Sequence, residues 1–82
     1  MRILVVEDEE ELAIAVAERL RSDAFGVDVA GTVAEARFHA DLHPYDAIVL
    51  DRRLPDGEGG ELCGSWRRAG VETPILMLSA MD

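Results

Sequence analysis

Three runs of four apolar residues punctuate the chain: Ile3 to Val6, Ala47 to Leu50 and Ile75 to Leu78, mostly branched aliphatics with no polar residue interleaved. Runs of that length and character predict strands buried on both faces, as in a parallel sheet covered by helices. Val27 to Ala30 is a weaker candidate. Its valines alternate with Asp28, the pattern of an edge strand with one exposed face. Helical spacing fills the intervals. Leu12, Val16 and Leu20 recur at four-residue steps and predict a helix over 9–22, with acidic residues in the first turn, where a helix N-terminus favours them. Thr32-Val33-Ala34-Glu35 has capping-box spacing and opens a helix running to about Leu42. Leu62 and Trp66 predict a third helix over 61–69, weakened by Gly64 and stopped by Gly70.

The order is β-α-β-α-β-α-β, which means an α/β domain with right-handed crossovers. In open parallel sheets, ligands bind beyond the carboxyl ends of the strands, where strand order reverses. For a flavodoxin-like order 2-1-3-4 that point lies between the first and third strands. Glu7 and Asp8 directly follow the first; Asp51 directly follows the third. The topology therefore brings three carboxylates to one crevice. At such a distance one of them holds a proton or a cation neutralises them. Mg²⁺ suits such a site, because it takes oxygen ligands and is held by one or two carboxylates plus phosphate oxygens. A carboxylate can also attack phosphorus and become an aspartyl phosphate.

Charge narrows the function classes. The 82 residues carry a formal net charge of −9, and all eight basic residues are Arg, with no Lys. No basic stripe is available for phosphate contacts, so direct nucleic-acid binding by this segment is not expected. Hydrophobic residues make up 49% of the chain, a globular composition for a single domain. Cys63 is the only cysteine and has no internal disulfide partner, in keeping with a reducing cytoplasm. No apolar run approaches the roughly 18 residues of a membrane span, and the four-residue run after Met1-Arg2 is too short for a signal peptide.

Three segments together resemble the successive motifs of response-regulator receiver domains of two-component systems. They are Leu4-Val5-Val6-Glu7-Asp8-Glu9, Val49-Leu50-Asp51-Arg52-Arg53-Leu54-Pro55-Asp56-Gly57 and Pro74-Ile75-Leu76-Met77-Leu78-Ser79-Ala80. The similarity runs over nearly the whole chain, in order and at matching spacing, and its flavour is that of the winged-helix (OmpR/PhoB-class) transcriptional regulators. It implies a CheY-like fold over residues 1–82, Glu7 and Asp8 as holders of Mg²⁺, and Asp51 as phosphoacceptor and metal ligand. It also implies a metal-binding backbone carbonyl at Arg53 and a phosphoryl-contacting hydroxyl at Ser79. Pro55 and Gly59 match the loop pattern after Asp51. The implied partner is a sensor histidine kinase. The implied output is a DNA-binding domain not present in this chain. The expected activity is that of a phosphoacceptor switch rather than an enzyme.

The sequence departs from the family pattern where it stops. Receivers continue through a further helix, strand and helix, and the family's essential Lys lies at the end of that fifth strand. As it stands, the chain is expected to be a partial receiver that binds Mg²⁺ but takes up phosphate poorly. Its fourth strand is expected to form an apolar edge through which the chain self-associates. Two other classes remain in view. A phosphorylation-deficient pseudo-receiver, acting as an interaction or oligomerisation module, fits the missing Lys but not the intact acids. A hydrolase with an aspartyl-phosphate intermediate, resembling haloacid dehalogenases, would need an Asp-x-Asp pair after the first strand, where Glu7-Asp8-Glu9-Glu10 stands. Blander roles are expected for the remaining residues: Arg52 and Arg53 as solvated side chains, His39 and His43 as surface histidines, Cys63 and Trp66 as packing residues, and Glu9 to Glu11 as a solvated first turn.

Overall fold

All four predicted strands pair in parallel in one sheet of the computed structural model, which describes residues 1–78. The elements follow as β1 (Arg2–Val6), α1 (Glu10–Ser22), β2 (Gly26–Ala30), α2 (Val33–Leu42), β3 (Ala47–Asp51), β4 (Arg53–Leu54), β5 (Gly57–Glu58), α3 (Gly59–Arg68) and β6 (Ile75–Leu78). The sheet order is β2-β1-β3-β6, so the predicted fourth strand is β6, and β1 and β3 are the central neighbours. The expected 2-1-3-4 arrangement is present.

Strand alternation sorts the core into two layers. Leu4, Val6, Ile48 and Leu50 face α2 and α3, where they pack with Ala36, Leu62 and Trp66. Ile3, Val5, Val27 and Val49 face α1 and pack around Ala17. The central strands are thus covered on both faces, which is why their sequences carry no polar alternation.

Helix α1 is rotated from its predicted setting. Leu12 is 41% exposed, whereas Ala13 and Ala17 are buried and Val16 and Leu20 half-buried. The buried stripe therefore runs Ala13, Val16, Ala17, Leu20, the i, i+3, i+4, i+7 pattern of a core-facing helix. The two alanines let the helix backbone lie close to the sheet, and a leucine at the same place would hold it away. Helix α2 starts as expected: the Thr32 hydroxyl accepts from the Glu35 N–H at 3.0 Å. The Glu35 side chain reaches back to the Gly31 N–H at 2.8 Å, one residue beyond the usual capping-box partner. Helix α3 begins two residues before its predicted start, at Gly59, and ends at Arg68; Gly70 follows, with a φ of 89° that gives the left-handed turn glycine tolerates.

Strand β2 is an edge strand, but Asp28 does not simply face water. Its carboxylate accepts from the Arg2 guanidinium at 2.9 and 3.0 Å and from the Tyr45 hydroxyl at 2.6 Å, tying β2, β1 and the entry to β3 together. Among the described residues, no helix is long and apolar enough to cross a membrane.

Candidate metal centre

The register of the central strands builds the site. Val6 is the Cα partner of Leu50 across the β1–β3 ladder, so the next residue of each strand, Glu7 and Asp51, emerges at the same end of the sheet. Asp51 is the last residue of β3 rather than the first of the loop. The Glu7 N–H donates to the Ala30 carbonyl at 2.9 Å, carrying the β1–β2 pairing one residue beyond the strand. This fixes the Glu7 backbone and leaves its side chain 5% exposed, the one charged side chain among the described residues that is buried. Asp8 is exposed to solvent, and Asp51 is half-buried.

Glu7, Asp8 and Asp51 each offer a carboxylate oxygen, and the three oxygens lie within 4.8 Å of one another. At an effective dielectric of about 20, two full charges at that distance repel by roughly 3–4 kcal/mol, less where water reaches the exposed Asp8. Glu7 registers the strain. Its burial, with the Asp51 carboxyl beside it, pushes its pKa up to about 7, against the opposing effect of the Glu9 N–H that it accepts at 3.2 Å. The cluster is thus a hard-oxygen donor set short of positive charge, which is the chemistry that Mg²⁺ fits. The residues present suit the ion.

A short hairpin missed by the sequence reading begins two residues after Asp51. β4 and β5 pair antiparallel, Arg53 opposite Glu58 and Leu54 opposite Gly57, around the two-residue turn Pro55-Asp56. Turn chemistry was visible in Pro55-Asp56-Gly57, but strands this short leave no periodicity to read. The hairpin is held at its base and tip. The Gly59 N–H donates to the Arg52 carbonyl at 2.7 Å, and Leu54 is buried in the α2/α3 core layer. At the tip, the Asp56 carboxylate accepts from the N–H groups of Val33 and Ala34 at 2.7 and 3.1 Å, the first two donors of α2. The Val33 N–H, chiefly, holds the Asp56 pKa below the ordinary carboxylate value.

The other candidates fall into place around this frame. The Arg52 N–H donates to Asp51 Oδ1 at 2.7 Å, orienting the carboxylate from its own chain. Arg53 lies on β4, two residues past Asp51, with its side chain exposed. Ser79 lies outside the described residues; the residue before it, Leu78, is the Cα partner of Asp51. His39 and His43 make edge contacts with the Phe38 and Tyr45 rings, and among the described residues neither belongs to a metal-suited group. Trp66 is buried in the core with half-buried Cys63 against the same layer.

Known proteins share this fold. The family model described as "Response regulator receiver domain" matches residues 3–82. The transcriptional regulatory protein CutR of Streptomyces coelicolor is 46% identical over 80 residues, covering 98% of this chain and 37% of that protein. The chain thus spans little more than a third of this relative's length. Among solved structures, the non-phosphorylated HemR receiver domain of Leptospira biflexa is similar with a TM-score of 0.89 at 40% identity, covering 98% of this chain and 64% of that one. The response regulator TrrA of Thermotoga maritima, solved in complex with Mg²⁺-BeF, has a TM-score of 0.91 at 31% identity over 99% of this chain and 70% of its own. The parallel β2-β1-β3-β6 sheet is the CheY-like arrangement of these neighbours, and the chain belongs to the receiver domains of two-component response regulators.

Proposed function

We propose that the chain accepts a phosphoryl group on Asp51, with Mg²⁺ held by Glu7, Asp8, Asp51 and the Arg53 backbone carbonyl. The observation that carries this reading is the convergence of three carboxylate oxygens within 4.8 Å at the carboxyl ends of β1 and β3. The complex of TrrA with Mg²⁺-BeF supports the ion. When bound, Mg²⁺ would neutralise the crowded acids and screen the incoming phosphoryl oxygens.

The remaining chemistry belongs to the chain's own groups. The donor is the phosphohistidine of a sensor kinase. An Asp51 carboxylate oxygen attacks phosphorus as the P–N bond breaks; the bonding pair leaves with the imidazole, and Asp51 becomes an acyl phosphate. Such transfers have little covalent chemistry for the protein to perform, so positioning dominates. The Arg52 N–H grips Oδ1 and sets the rotation of the carboxylate. Ser79 is assigned the contact to the transferred phosphoryl group, supported by the pairing of Leu78 with Asp51. The chain on this reading is a switch that modifies itself rather than an enzyme. On the same reading its output is a DNA-binding domain, in keeping with the transcriptional regulatory role printed for CutR.

Incubation with phosphoramidate and Mg²⁺ tests the proposal. Wild type is expected to gain one phosphoryl group slowly, and Asp51→Asn or chelation of the metal to prevent it. Undiminished labelling of Asp51→Asn would overturn the reading.

A second reading, self-association through β6, rests on Leu76, which is 64% exposed on a strand that is an edge of the sheet among the described residues. An apolar edge of this kind templates pairing with another chain. Sedimentation over a range of concentrations is expected to show dimers that Leu76→Lys dissolves; a strict monomer at every concentration would remove this reading.

A further inference from the structure

The metal site has two walls carried by different parts of the fold. One is Glu7, whose N–H is bonded to the Ala30 carbonyl at the end of β2. The other is Asp51 with the β4–β5 hairpin that follows it. Beyond the β1–β3 ladder, the link between these walls passes through the start of α2.

The donors of the first turn of α2 show how. Thr32 takes the Glu35 N–H, and Glu35 in turn takes the Gly31 N–H, so the helix start is locked onto the end of β2. The Val33 and Ala34 N–H groups remain, and neither is served locally: both donate to Asp56, more than 20 residues away in sequence at the hairpin tip. Gly57 leaves little room against the helix, since a Cβ added there would crowd Val33 Cγ2 at 3.2 Å. The connections thus form a closed circuit from Glu7 through Ala30, Gly31, α2, Asp56 and the hairpin to Asp51.

We propose that Asp56 is a positioning residue for the metal site: its carboxylate ties the hairpin after Asp51 to the helix after β2, and so fixes the separation of the two acidic walls. This rests on the reading of Glu7, Asp8, Asp51 and the Arg53 carbonyl as metal ligands. Asp56 touches neither metal nor phosphoryl group. It acts as the outer partners of metal ligands do, by holding ligands in the bound geometry before the ion arrives.

Mg²⁺ titration of the chain and of three variants, followed by calorimetry or amide chemical shifts, tests the idea. Asp56→Ala removes the acceptor. Asp56→Asn keeps one carbonyl oxygen. Val33→Pro deletes one donor from the other side, at a helix position where proline is tolerated and after a Thr32 already extended at φ −141°, ψ 163°. Asp56→Ala is expected to weaken Mg²⁺ binding on the order of tenfold, with smaller losses in the other two. The phosphorylation rate at saturating Mg²⁺ is expected to stay within about twofold of wild type, so that the half-saturating metal concentration moves while the plateau does not. A general loss of fold would depress both. Wild-type Mg²⁺ affinity in Asp56→Ala would overturn the proposal; where that variant does not fold, wild-type affinity in Asp56→Asn and Val33→Pro overturns it equally. A wild-type chain that binds no Mg²⁺ at the acids removes the underlying reading and this inference with it, whereas binding by wild type and variants alike removes this inference alone.

Discussion

A Cβ built on Gly59 lies 1.9 Å from the backbone carbonyl oxygen of Asp51. No side chain fits there, because the obstructing atom is backbone and cannot swing aside. The first turn of α3 therefore rests directly on the residue assigned as phosphoacceptor. Gly59→Ala is predicted to destabilise the fold by about 3 kcal/mol or more, as overpacking of a closed contact does. Urea unfolding measures it. Gly60→Ala is the control: a Cβ there meets nothing within 4 Å, and within a helix that exchange is expected to stabilise by up to about 1 kcal/mol. Equal effects at the two positions would contradict the contact.

The raised pKa of Glu7, about 7 and caused first by burial and then by Asp51, predicts a pH dependence with a definite sign. A folded-state pKa above the ordinary value of 4.5 means a stabilising contribution that is full below that value and is lost as pH rises through about 7. The metal-free chain is therefore expected to melt at a lower temperature at pH 8 than at pH 5.5. Mg²⁺ requires the ionised carboxylate, so it is expected to raise the melting temperature more at pH 8 than at pH 5.5. Glu7→Gln should flatten the metal-free trend. Thermal melts at the two pH values, with and without Mg²⁺, check all three statements.

Away from the metal centre, Tyr45 and Asp28 hold the sheet. Burial alone would raise the Asp28 pKa, but hydrogen bonds from Tyr45 and Arg2 outweigh it and leave it below the ordinary carboxylate value; burial and Asp28 push the Tyr45 hydroxyl up to about 12. The depressed Asp28 pKa marks a contribution present above about pH 4 and lost as pH falls through the folded value. Tyr45→Phe is predicted to cost about 1–2 kcal/mol at pH 7. The gap between wild type and variant should narrow below about pH 4. A gap independent of pH would show that the hydroxyl does not act through the ionised Asp28.

The acidic site was legible because its logic is topological. Short unbroken apolar runs ending in Glu7-Asp8 and Asp51 required only a parallel sheet with β1 beside β3 to meet. The setting of α1 was less legible: Leu12 looks like a core residue by spacing, yet the small Ala13 and Ala17 mark the buried stripe, and hydrophobicity alone favours the larger residue. The Pro55-Asp56-Gly57 turn carried its signal in residue type. The partner of Asp56 did not, since Val33 and Ala34 donate through backbone N–H groups that any residue but proline possesses. The bond from Tyr45 to Asp28 was hidden for a similar reason: the Val27-Asp28-Val29 alternation reads as a water-facing acid until β1 brings Arg2 alongside.

An acidic surface with a net charge of −9 attracts divalent cations everywhere, so the decisive measurement is where Mg²⁺ binds. Amide chemical shifts during a Mg²⁺ titration answer this residue by residue. Saturable shifts centred on Glu7, Asp8 and Asp51 to Arg53 are predicted, and Asp51→Asn is expected to weaken them by tenfold or more. Shifts spread over the acidic surface, or unchanged in Asp51→Asn, would contradict a metal centre built from the ends of β1 and β3.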